Sequence, residues 1–186
     1  MDKKSLLIET SLKLFYQDGI HAVGINHILA TSGVAKKTLY NHFETKEALI
    51  QACVIERDKR FMNWLSQACQ HAHSTSQFIE FFFNALDDWI NNRVQALGEF
   101  RGCFFVNTSA EYSDLDNPIF QQCLQHKLKV KTYIENSLSA FTNDIGECQQ
   151  LTDQLILLKE GVINSAFIMQ DKQAALKAMK ILKLSV

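Results

Sequence analysis

The chain has one proline and seven glycines in 186 residues. These are the residues that interrupt helices, so their scarcity argues against a fold of many tight turns. Apolar residues make up an ordinary 47%, and no apolar run approaches the roughly 18 to 20 residues that cross a bilayer. Met1-Asp2-Lys3-Lys4-Ser5 leads straight into an amphipathic pattern and does not read as a secretory signal, so the cytosol is the expected compartment. Cysteines at 53, 69, 103, 123 and 148 are odd in number and widely spaced, with no C-x-x-C. That pattern argues against a disulfide framework or a zinc site and predicts mostly buried free thiols. His71 and His73 sit two apart on a predicted helix, where side chains diverge, so no metal is assigned to them. The net charge of -1 does not suit a nonspecific nucleic-acid coat, but it permits one local DNA-facing surface.

What is present is helical periodicity almost throughout, which predicts an all-α fold. A first helix over residues 3–17 lines Leu7, Ile8, Ser11, Leu14 and Phe15 on one face, and Gly19 ends it. The stretch 19–43, GIHAVGINHILATSGVAKKTLYNHF, then holds two short helical patterns separated by Ser32-Gly33-Val34. Ile25, Ile28 and Leu29 give the first an apolar edge; Val34, Leu39 and Phe43 give the second its own. Gly33 supplies the left-handed backbone that lets one helix stop and another start at a steep angle. That is a helix-turn-helix, whose second helix can lie in the major groove of DNA. No Asp or Glu occurs in this stretch, while Lys36, Lys37 and three histidines do. A surface facing phosphate must avoid carboxylates. Lys36 and Lys37 open the recognition helix, Thr38 and Tyr40 carry hydroxyl donors, and Asn41 suits an adenine edge.

This segment resembles the DNA-binding domain of the tetracycline-repressor (TetR) family. The resemblance rests on Leu14-Phe15, Gly19, Ile28-Leu29, Ser32-Gly33-Val34, Thr38-Leu39-Tyr40-Asn41-His42-Phe43 and Lys46-Glu47-Ala48-Leu49, in order over roughly forty residues. The chain departs from the family at Gly24 and Ala35, where Thr and Ser caps are usual, and at Lys37, where a small residue is common. The resemblance implies that Tyr40, His42 and Lys46 hold phosphates and that Lys36, Lys37 and Asn41 read sequence. It also implies an N-terminal helix-turn-helix domain, residues 1–47, followed by a helical effector-binding and dimerisation domain, residues 48–186. The protein so implied is a homodimeric transcriptional repressor. It binds a palindromic double-stranded operator and is released by a small molecule.

Thr45 is expected to cap a fourth helix running to about residue 72, and Ser74-Thr75-Ser76 to restart the chain. A fifth helix, 76–94, is apolar around most of its circumference, through Phe78, Ile79, Phe82, Phe83, Ala85, Leu86, Trp89 and Ile90. It is either plain core or the wall of a ligand cavity. A short helix over 104–111 follows, then a seventh with Asn117 as cap and Pro118 as first residue, running to 141 with Leu124, Leu128, Ile134, Leu138 and Phe141 inward. Phe82, Trp89, Cys103, Phe104 and Phe120 are the candidate effector-binding residues. Leu151, Leu155, Leu158, Val162, Ser165 and Met169 make a helical seam, and a final helix spans 172–184. By the resemblance these last helices form the dimer interface, with Leu158, Gly161, Val162, Ser165 and Met179 as candidates. An ordinary intrachain seam is the alternative.

An enzyme is not expected. No Glu has a His three residues later, as a di-iron bundle requires, and no nucleophile has a local base signature. No cofactor is implied. Two variants of the regulator remain. One is a DNA-binding regulator without a small ligand. The other is a thiol sensor of oxidants or electrophiles through Cys103, which follows Arg101-Gly102 and precedes a short helix. With Asn107-x-x-Ala110-Glu111 it is similar to a subgroup of the family, some of whose members use a cysteine near this position. The plain alternative is a buried, inert thiol.

Overall fold

A computed structural model describes residues 2–183. Among them are nine α-helices, one 3-10 turn and no strand. The helices are α1 (Lys3–Asp18), α2 (Ile25–Ser32), α3 (Lys36–His42), α4 (Lys46–Cys69), α5 (Thr75–Ile90), α6 (Phe104–Glu111), α7 (Pro118–Ser139), α8 (Ile145–Ile168) and α9 (Ala174–Lys183). The 3-10 turn is Gln95–Leu97. No helix among the described residues is long and apolar enough to cross a membrane. The expected end of the last helix, residue 184, lies outside the described residues.

The chain forms two compact units, Met1–Lys59 with Phe104–His126, and Arg60–Cys103 with Lys127–Val186. The division differs from the sequence boundary at 47/48 because the three N-terminal helices do not close a core alone. In the first unit α1 packs against α2 and α3. The start of α4 adds Leu49, Ile50, Cys53 and Val54 to the core, all at most 1% exposed. Cys53 Sγ lies 3.7 Å from the Ile8 carbonyl of α1. From α6, Phe104 meets the Tyr16 ring edge-on at 6.0 Å, and the Arg57 guanidinium lies over that same tyrosine, 4.5 Å from its centroid. His126, almost fully buried, stacks on Phe105 and turns Nδ1 to Asp58 Oδ1 at 2.8 Å.

The second unit is built on α5. Ser74 caps it by accepting from the Gln77 amide at 3.2 Å. Phe78, Ile79, Phe82, Phe83, Leu86, Trp89 and Ile90 are buried along it, and it packs on α8 and α9. Each such side chain contributes about 1.5–3 kcal/mol by leaving water, against about 1 kcal/mol for a typical hydrogen bond. Aromatic packing therefore dominates this core. Around Trp89, Phe100 stands 5.0 Å, Phe61 5.5 Å and Trp64 5.9 Å away, centroid to centroid.

Three sequence expectations are corrected. The fifth helix stops at Ile90, not 94, because the chain folds back there: the Asn91 side-chain amide donates to Asp87 and to the Lys172 carbonyl, and Arg93 grips Asp87 and Asp88. In α7 the inward face is Ile119, Cys123, His126, Val130, Ile134 and Leu138, while Leu124 and Leu128 are 39% and 46% exposed. In α8 the seam keeps Leu151, Leu155 and Val162 buried, but Met169 is 73% exposed beyond the last turn. All five cysteines are buried thiols, as their spacing predicts.

Candidate nucleic-acid interface

Gly33 ends α2 in the left-handed region, φ 66° and ψ 14°, with its amide bonded to the Leu29 carbonyl. A Cβ there would meet nothing within 4 Å, so the requirement for glycine is conformational, not spatial. Ser32 Oγ receives the Val34 amide at 3.3 Å and completes the turn. Ile28 and Leu39 are fully buried, Val34 and Phe43 nearly so, and these four pin the two helices together. Gly24 and Ala35, the two departures at cap positions, stand as N-caps without a side-chain hydrogen bond. The first amides of α3 are therefore left without a side-chain acceptor from the cap residue.

On α3, Lys36, Lys37, Tyr40, Asn41 and His42 are exposed and Thr38 is half-buried. Lys36, Lys37, Tyr40 and Asn41 fall at i, i+1, i+4 and i+5, a single stripe opposite buried Leu39. Tyr40 is a large aromatic left 43% exposed. The stripe offers two ammonium groups, a phenol and an amide, all suited to phosphate oxygens or base edges. Lys46 is placed differently. Half-buried, it donates to the Ile20 carbonyl at 2.8 Å and lies 5.9 Å from the Phe15 ring centroid. It braces the loop between α1 and α2 from inside the unit. Thr45 Oγ1 caps α4 through the Ala48 amide at 3.1 Å.

The candidate effector residues do not gather in one unit: Phe82, Trp89 and Cys103 belong to the second, Phe104 and Phe120 to the first. Among the described residues Trp89 Nε1 is buried without a hydrogen-bond partner. Near Cys103, sequence reasoning missed a charge cluster. Lys127 Nζ lies 3.5 Å from Cys103 Sγ and 2.7 Å from Glu160 Oε1, and the fully buried Lys159 also bonds Glu160. Burial opposes the charge on Lys127, but Cys103 and Glu160 outweigh it and hold Lys127 above the ordinary lysine range. Burial and the charge of Lys127 push Lys159 below that range. No sequence signal announces such a cluster, because its members come from three elements.

Of the candidate interface residues, Val162 is used inside the chain at 3% exposure. Leu158, Ser165 and Met179 are half-buried and Gly161 is exposed. Among the described residues the exposed apolar side chains of α8 include Leu157 and Ile168, 73% and 67% exposed, on either side of Gly161, where an added Cβ would meet nothing within 4 Å.

Two helices joined by a left-handed glycine, with an acid-free polar stripe on the second, define a helix-turn-helix, the class of element that lays its second helix in the major groove of DNA. Residues 7–53 match the family model of the bacterial regulatory proteins of the tetR family. The regulator UidR of Escherichia coli K12 is 25% identical over 77 residues, 41% of this chain and 39% of its own length. The regulator YerO of Bacillus subtilis is 42% identical over 53 residues, 28% of this chain and 18% of its own. The chain thus spans about two fifths or less of these curated relatives. Likeness of fold extends much further. The TetR-family regulator SCO4454 of Streptomyces coelicolor superposes with a TM-score of 0.84 at 24% identity, over 96% of this chain and 91% of the other. Reduced NemR of E. coli gives 0.79 at 21% identity, over 98% and 96%.

Proposed function

We propose that this protein is a cytosolic, homodimeric repressor that reads a near-palindromic operator and lets go when a small molecule or electrophile engages its second unit. The exposed stripe Lys36, Lys37, Tyr40 and Asn41 carries the reading, because its donors face outward from a helix whose opposite side is locked in the core. Two such helices, about 34 Å apart, match successive major grooves. The apolar face around Gly161 supports self-association, and the partnerless Trp89 donor among aromatic rings supports a ligand with an acceptor group.

The contact between Cys103 and the Lys127 ammonium favours a second reading, in which the effector is an electrophile that alkylates this thiol. A duplex selected from random sequence by the wild-type protein serves as probe, with N-ethylmaleimide as electrophile. If Cys103 is the sensor, treatment releases wild type from the duplex, and Cys103→Ser, which keeps the other four buried cysteines, stays bound. Release of both proteins at equal rates removes Cys103 and leaves the aromatic-lined body as the sensor.

A further inference from the structure

Gly19, Ile20 and His21 open the loop between α1 and α2, and the end of α6 reaches into it. Glu111, the last residue of α6, accepts the Ile20 amide at 2.8 Å on Oε1 and the His21 amide at 2.6 Å on Oε2. Its Oε2 is also 3.4 Å from His21 Nδ1, and the His21 ring lies 5.1 Å from Tyr112. Gly19 has φ 86°, and a Cβ there would stand 3.4 Å from Glu111 Oε1, so this corner fits closely around the carboxylate. Lys46 takes the Ile20 carbonyl from the other side. The loop that leads into the helix-turn-helix is thus held at both backbone groups of one residue.

A carboxylate at a helix C-terminus opposes the dipole and costs that helix stability. Glu111 breaks this local rule, and the two amides it binds are the compensation. The geometry points to Glu111 as a positioning residue for operator binding: it touches no DNA, but through the Ile20 and His21 amides it sets the attitude of α2 and α3 on the groove. This rests on the DNA-reading role proposed above. A helix-turn-helix out of register loses base-edge contacts before it loses general attraction to phosphate.

The test uses the full chain, the duplex selected by wild type and a scrambled duplex of the same length. Glu111→Gln keeps the size but halves the acceptor capacity, and Glu111→Ala removes it. Both are expected to weaken binding to the selected duplex by roughly tenfold or more, about the worth of one bidentate base contact. The salt slope and scrambled-duplex affinity should stay near wild type, since no cation is removed. Measured well below the melting transition, this split separates positioning from stability. Melting temperatures that fall while affinity of the folded variants equals wild type would overturn the proposal and leave Glu111 a structural brace. Failure of wild type itself to select any sequence would instead overturn the DNA-reading role.

Discussion

Replacing Lys36 and Lys37 together by alanine should lower operator affinity by roughly two orders of magnitude at physiological salt. Both side chains are exposed on α3, so neither holds the fold. A base-edge contact is worth about 1–3 kcal/mol, and removing one lysine that neutralises a phosphate lowers the logarithmic salt slope by about 0.9. A dimer is deprived of the pair on each of its recognition helices, which multiplies both effects. Thermal stability should be nearly unchanged, because surface substitutions of this kind stay within about 0.5 kcal/mol. Titrations at three salt concentrations check it. Affinity and slope equal to wild type would mean that α3 does not face DNA.

The second large effect concerns assembly. Gly161→Glu should turn the proposed dimer into monomers, detected by analytical ultracentrifugation, and abolish tight binding to a two-fold duplex. Among the described residues a Cβ at 161 would meet nothing within 4 Å, so the fold has room for a side chain to start there. On a dimer face flanked by Leu157 and Ile168 it would bury a carboxylate without a partner, a loss of about 3–5 kcal/mol. Gly161→Ala separates the two roles. It favours the helix by about 1 kcal/mol, so a higher melting temperature for the isolated chain with weaker dimerisation marks a close approach at this glycine. An intact Gly161→Glu dimer would place the interface elsewhere.

The helix-turn-helix was legible in the sequence because its determinants are local. A left-handed glycine, four apolar anchors and an acid-free stretch all lie within 25 residues. The limits of α6, 104–111, were equally plain between Gly102 and the Asp114-to-Asn117 cluster. What stayed hidden depends on distant partners. The end of α5 is set by Asn91 reaching the Lys172 carbonyl, 81 residues away. Glu111 stood out only as part of the Asn107-x-x-Ala110-Glu111 pattern, and its bracing role stayed hidden because the amides it binds lie 90 and 91 residues earlier. Lys46 matched a phosphate-holding motif, yet its ammonium is turned inward to the Ile20 carbonyl. On α7 the second half was read correctly, with Ile134 and Leu138 buried, and the first half was placed on the wrong face. Cys123 and His126 are buried while Leu124 and Leu128 are exposed, so the buried stripe is less apolar than its neighbour.

The central claim is that two copies of α3 read successive major grooves. Hydroxyl-radical footprinting of the wild-type protein on the duplex it selects tests this most directly. The account predicts two protected patches related by a two-fold axis, their centres about one helical turn, 34 Å or slightly more, apart, and both abolished together in the Lys36→Ala, Lys37→Ala protein. A single patch, or protection that persists in that variant, would contradict it.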